Sequence, residues 1–379
     1  MAAAEEYRYP CAQCGAQMRY APGEGRLTCD FCGHTQDIAP GTARDAEKAL
    51  QELDLQRGLS GDLAASDMEE VRTISCPSCG ASIEIVGATH ATECPFCATP
   101  VVLDTGTQRH IKPLALVPFV YSEPQARKAM TDWLGRLWFA QNTLLEYARK
   151  GRAMTGIYVP YWTFDADTAS RYRGQRGEHY YETRMVTVQV NGKSERREER
   201  VQKTRWYPAS GRVSRDFDDV LVIASTSLPR HLGNNLAPWD LAALKPYAPE
   251  YLAGFQAEGY TVPLSDGHAE ARDRMADQIR EDVRRDIGGD EQRIDSVDTS
   301  WSEETFKHIL LPVWMAAYKY GGKSYRFIVN GQTGEVQGER PWSIWKIGFA
   351  VAFVVVLVVG GLYLYDPEAL GLQRPEWMD

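Results

Sequence analysis

The sequence predicts an α+β protein with four parts: two short N-terminal four-cysteine modules, a larger domain of mixed antiparallel strands and helices, and one membrane-length apolar helix near the C-terminus. Three observations predict it. All eight cysteines fall into four CxxC knuckles, paired as Cys11/Cys14 with Cys29/Cys32 and Cys76/Cys79 with Cys94/Cys97. The segment after residue 110 alternates strand-like stretches with amphipathic helices and carries hairpin turn signals, without βαβ repeats. Residues 347–365 form a run of nineteen uncharged residues.

The cysteines come first in the chain. In each set two residues lie inside every knuckle and fourteen lie between knuckles, with no cysteine left over. One tight turn supplies two thiolates, and a second turn returned by a short hairpin completes a tetrahedral set. The pattern predicts two zinc ribbons, each holding one structural ion, at residues 7–38 and 72–105. Gly15, Gly33 and Gly80 follow the second cysteine of three knuckles, where left-handed backbone is needed; Ala98 stands in the fourth. A redox CxxC is normally single and sits in a βαβ context. His34 and His90 lie near the knuckles, but four thiolates need neither. Segments of about 30 residues cannot bury an adequate core, so the metal is expected to stabilise the ribbons.

Residues 39–71 read as an acidic helical linker, with Ala46, Leu50 and Leu53 on one face. The α+β domain spans 106–341. Ser122, Glu123 and Pro124 start a helix whose apolar face is Ala126, Met130, Trp133, Leu134 and Leu137. A β-rich stretch covers 157–225, with Asn191-Gly192 as its hairpin turn. Short helices fill 226–260. Ala271, Met275, Ile279, Val283 and Ile287, four apart, predict a longer helix over 266–287. Strands at 309–320 and 325–330 and a return after Asn330-Gly331 end the domain. AYKYGGKS at 317–324 approaches a phosphate loop, yet a strand follows where that motif needs a helix, so it reads as a hairpin.

At 1.5 Å per residue, residues 347–365 are long enough for a hydrocarbon core of about 30 Å. Trp342, Trp345, Tyr363 and Tyr365 flank them as an interfacial belt, so 342–366 is expected to be a transmembrane helix with flanks, followed by a short tail at 367–379. Arg340 and Lys346 precede the span and only Arg374 follows, favouring a cytoplasmic N-terminal side of a single-pass protein in the bacterial cytoplasmic membrane. Thiolate sites suit that reducing compartment, and the N-terminus has no apolar h-region.

With 42 basic against 51 acidic residues, the chain lacks the basic footprint of a dedicated nucleic-acid binder. Residues 171–212 are the exception, with eleven Arg and Lys against five Glu. Arg184, Arg196, Arg197, Arg200, Lys203 and Arg205 are the candidate contacts to an anionic surface there, against the plainer reading of an exposed hairpin with cross-strand ion pairs. Asp165 with Asp167, and Asp216, Asp218 and Asp219, have no histidine, nucleophile or metal motif beside them in sequence. No catalytic residue is assigned, and a non-enzymatic protein is expected.

The second ribbon (CPSCG, CPFC), GIYVPYWTFDA at 156–166, TRWYPASG at 204–211 and the long block at 310–341 together resemble a bacterial family of double zinc-ribbon membrane proteins. Such proteins are often labelled primosomal protein N′ (replication factor Y)/superfamily II helicase-like, or TFIIB-type zinc-ribbon proteins. The resemblance implies a membrane-attached adaptor that recruits membrane-stress scaffolds of the SPFH type through its ribbons. The helicase label implies instead a nucleic-acid-binding protein of replication or transcription, but true primosomal helicases carry an ATPase core with a P-loop, which this sequence lacks.

Overall fold

The computed structural model describes residues 9–39, 51–84, 91–97, 99–102, 106–136, 154–190, 193–320, 323–339 and 344–365. Ribbon 1 is a three-stranded antiparallel sheet of β1 (Arg19–Ala21), β2 (Arg26–Thr28) and β3 (Thr35–Asp37). The next segment is β4 (Leu53–Asp54) and α1 (Leu55–Ser60). Ribbon 2 combines β5 (Met68–Ser75), β6 (Ser82–Glu84), β7 (Ala91–Glu93), β8 (Pro100–Val102) and β9 (Gly106–Ile111), with β5 central between β6 and β9. Then come β10 (Ala115–Leu116) and α2 (Glu123–Gly135).

Three very long strands dominate the remainder. β11 (Thr155–Val190) and β12 (Lys193–Ile223) form one hairpin, closed where Val190 pairs with Lys193. At about 3.3 Å per residue the 36 residues of β11 extend on the order of 120 Å. Short elements follow: α3 (Arg230–Asn234), β13 (Lys245–Pro246) and β14 (Gln256–Ala257), then the long helix α4 (Leu264–Ile287). β15 (Glu291–Tyr320) returns antiparallel along β11, and β16 (Lys323–Asn330) and β17 (Val336–Gly338) complete the edge. The sheet is largely antiparallel, with short parallel pairings of β10 to β15 and β14 to β11.

The base of this sheet is covered on both faces. Period-2 alternation sends Tyr158, Leu310, Trp314 and Phe327 to one face, where α2 and ribbon 1 pack. Ile157, Val159, Ile309, Leu311 and Val313 go to the other, where ribbon 2 packs with Leu228, Leu232 and Leu236. Farther out, α4 covers the arm. Its Ala271, Met275, Ile279, Val283 and Ile287 are all buried, as their fourfold spacing predicts, and the last three meet Tyr172. Gly267 lets the helix approach, since a Cβ there would lie 2.6 Å from Trp162. β15 and β11 part company after Gly177 pairs with Glu291, so residues 178–190 and 193–205 project as a two-stranded ribbon.

The structure departs from the sequence expectations in three places. Within the linker, Leu53 is a strand residue paired with Phe306 rather than part of a helical spacer, and Leu55 is fully buried. Burial against the sheet overrides a helical pattern of only three residues; its other two members, Ala46 and Leu50, lie outside the described residues. Ribbon 2 extends past 72–105, because β5 starts at Met68 and pairs with β9 up to Ile111. β15 begins at Glu291, where polar residues alternating over one buried face hid a strand that starts eighteen positions before the predicted 309.

Near the C-terminus, α5 (Ile344–Tyr365) is helical. Its described apolar side chains, Phe349, Val351 and the run 353–359, are all exposed. Among the described residues no helix is long and apolar enough to cross a membrane. The rest of the expected span and the tail lie outside the described side chains.

Candidate metal centres

Three of the knuckles are closed by the same local hydrogen bond among the described residues. Gly15, Gly33 and Gly80 donate their N–H to the carbonyls of Cys11, Cys29 and Cys76, closing the turn. Their φ angles of 73°, 73° and 74° are left-handed, which an L side chain disfavours. Cys11, Cys29, Cys76 and Cys94 in turn donate their N–H to Ala16, His34, Ala81 and Thr99. All eight thiols are free of disulfides.

The two turns of each ribbon bring four sulfurs together, with every Sγ within 4.8 Å of the others. Cys11–Cys32 and Cys14–Cys29 are 3.5 Å apart, Cys76–Cys97 3.6 Å and Cys79–Cys94 3.7 Å. A tetrahedron with zinc–sulfur bonds of about 2.3 Å has edges of about 3.8 Å. Both sites are therefore compatible with zinc. The electrostatics agree: a hydrogen bond from the Cys94 thiol pulls Cys79 down to about 5, and the same contact drives Cys94 far up. Without a cation, one thiolate forms and opposes the next; a divalent ion removes that opposition. Cys97 Sγ lies 3.2 Å from the Thr99 hydroxyl. Neither His34 nor any other histidine joins the sulfur groups, and His90 lies outside the described residues.

The ribbons are not free appendages. Ribbon 1 buries Cys11, Met18, Tyr20, Leu27 and Cys29 against the sheet, and Tyr20 and Gly23 donate to Ala253 and Phe119. Ribbon 2 buries Cys76, Ala81, Ile83, Cys94, Phe96 and Cys97, and Ser82 accepts from Gly259. At the outer tip of ribbon 1, Cys14 and Cys32 stay exposed, and Phe31 is 84% exposed.

The basic residues singled out in 171–212 lie on the projecting two-stranded ribbon. Arg184 pairs with Glu199 at 2.9 Å, directly opposite in register. Lys203 pairs with Glu182 and holds its carboxyl below the usual range. Arg200 and Arg205 lie over Tyr181 and Tyr180, at 5.1 and 4.8 Å from the ring centroids. Arg196 and Arg197 are exposed and have no partner among the described residues. They are consecutive on a strand and so point to opposite faces.

Sequence reasoning missed one polar cluster. Lys307, nearly buried, places Nζ 3.2 Å from Glu52 and 3.0 Å from Asp219, and Glu52 and Asp165 both accept from the Thr305 hydroxyl. Burial pushes Asp165 up to about 7, with the Glu52 charge adding to it. Burial opposes the charge on Glu52, but the bonds from Thr305 and Lys307 outweigh it and hold Glu52 low. The carboxylates of Glu52, Asp165 and Asp218 are close enough to hold a cation. Lys307 already supplies positive charge there, and the cluster ties the linker to the hairpin. Thr305 and Lys307 lie 140 to 255 residues from Asp165 and Glu52, which hides the cluster from any local motif.

Across nearly its full length the chain is similar to "Uncharacterized protein YdjG" of Bacillus subtilis (strain 168), at 25% identity over 366 residues, covering 93% of this chain and 98% of that protein. No family model matches. No solved structure matches either.

Proposed function

We propose that this chain is a non-enzymatic, membrane-anchored adaptor. Zinc folds both ribbons, α5 holds the protein in a bilayer as a single-pass span with its N-terminal bulk in the cytoplasm, and the tip of ribbon 1 docks a protein partner. The observation that carries this reading is a difference between two equivalent phenylalanines. Phe31 and Phe96 each precede the last cysteine of their ribbon. Phe96 is 1% exposed and seated in the core beside Leu228 and Ile309, whereas Phe31 is 84% exposed. Ribbon 2 has spent its knuckle on this chain's own sheet. The matching surface of ribbon 1 is open, and burying such a ring contributes about 1.5–3 kcal/mol.

The exposed apolar side chains of α5 support the membrane part. A helix apolar all round needs either a protein core or lipid around it, and Val354 to Leu357 are each more than half exposed. The internal pairing of Arg184, Arg200, Lys203 and Arg205 leaves these four less available to nucleic-acid phosphates, which disfavours the replication reading.

Affinity purification of the full chain from nuclease-treated membranes tests the proposal, with an SPFH-type scaffold as the first partner to look for. Phe31→Ser and Cys32→Ser are expected to lose the partner while the protein stays in the membrane fraction. Retention of that partner by both variants would sink the docking mechanism. DNA binding that weakens steeply with salt and survives both changes would favour the nucleic-acid reading.

A further inference from the structure

The sheet face turned away from α4 carries a feature that neither the ribbons nor the projecting hairpin explains. On it, Arg171 of β11 stands directly opposite Arg212 of β12. Arg173, two residues along β11, shares the face and stands opposite Ser210. Like charges placed directly across a strand pair destabilise it, and sequences normally offset them with a carboxylate. Here no hydrogen bond or ion pair holds any of the three guanidinium groups among the described residues. The contrast along the arm is sharp: Arg184 has Glu199, Lys203 has Glu182, and on the opposite face Arg215 has Asp282 at 2.6 Å.

The surroundings suit an anion. Ala169, Arg171, Arg212, Ser214, Asp298 and Ser300 line an open pocket of about 470 Å³. The small side chains leave the guanidinium groups uncovered, and Ser214 and Ser300 offer hydroxyl donors. Asp298 faces Arg171 across the β11–β15 pair but makes no ion pair with it among the described residues, so the pocket's two arginines exceed its one carboxylate by one. A guanidinium fork matches phosphate oxygens bidentately, and paired forks are strongest against a doubly charged group.

We infer that this face is a binding site for a phosphate-bearing small anion, held by Arg171 and Arg212 with the flanking serine hydroxyls. The ligand removes the repulsion that the sequence has built into the arm. The same chemistry is offered by a free phosphate compound and by the headgroup of an acidic phospholipid. The site stands apart from the adaptor reading and would survive its failure.

The test uses the full chain in neutral detergent at fixed ionic strength. Inorganic phosphate is one probe, and micelles doped with phosphatidic acid or, as control, phosphatidylcholine are the other. Thermal midpoint and titration calorimetry are the readouts. The wild type is expected to bind saturably and to rise in midpoint with phosphate or with phosphatidic acid. A response to phosphate alone identifies a soluble ligand, and a response only to phosphatidic acid identifies a headgroup.

Arg171→Gln/Arg212→Gln is expected to weaken binding at least tenfold. The same variant should melt at or above the wild-type midpoint in phosphate-free buffer, because a repulsion is gone; that result also shows that it folds. Arg196→Gln/Arg197→Gln removes the same charge from the projecting ribbon and should bind like wild type. Equal loss in both double variants, absence of saturable binding to either probe, or preference for a single-stranded oligonucleotide over both overturns the inference.

Discussion

Gly80 shows how a single residue can be separated from its packing. A Cβ there would meet nothing within 4 Å, so replacing it strains only the backbone at φ 74°. Gly80→Ala should cost about 1–2 kcal/mol, or roughly five- to thirty-fold in zinc affinity by chelator competition. Two other residues titrate with opposite signs. His308 is buried, and burial pulls it down to about 4; its Nδ1–H donates to the Ile111 carbonyl at 2.7 Å. Its folded value lies below the unfolded one, so its contribution is present above about 6.5 and is lost as pH falls towards 4, by roughly 3 kcal/mol at most. Asp165 is the reverse. Its raised value favours folding below the ordinary carboxylate range, and that contribution disappears as pH rises through about 7. Asp165→Asn should therefore flatten the slope of stability between pH 4 and 7, and His308→Gln the slope between pH 6.5 and 4, each followed by denaturant titration. An unchanged slope in either variant would contradict its assignment.

At the scale of elements, α4 was legible and β15 was only half legible. Five apolar residues four apart announce a helix with one buried stripe, and all five are buried. Ile279→Ala should cost about 2–5 kcal/mol and speed amide exchange in residues 166–174, which lie beneath that stripe. The first half of β15 escaped because Ile294, Val297 and Trp301 meet α4 only from one side and sit among Asp, Ser and Glu. One-sided burial with a bulge at Arg173/Gly174 breaks the period of two that strand recognition relies on. The linker failed for a related reason: Leu53 joins a sheet edge and Leu55 fills its core, and nothing within residues 51–60 specifies either.

The whole molecule is a sheet clamped at its base between two metal-ready ribbons, with an arm extending away from it. Because Cys29 and Cys97 belong to the clusters on opposite faces, the ribbons and the base should lose stability together. Stripping metal with a chelator is expected to lower the melting midpoint of the entire base, reported by Trp314 fluorescence, rather than release two independent flaps. A base that melts at an unchanged temperature after complete metal loss would show the clamps to be dispensable. The two four-cysteine groups were determined by the sequence alone, since a knuckle is a five-residue hydrogen-bonded unit whose geometry is local. The fold class and the C-terminal apolar helix were equally readable from period and length. Only the tertiary structure decided that Phe96 is spent inside the chain while Phe31 is free, that Lys307 meets Glu52, and that Arg171 faces Arg212. Those facts depend on pairing between distant segments, and register across a long strand pair is set by the sum of many contacts rather than by any residue's neighbours.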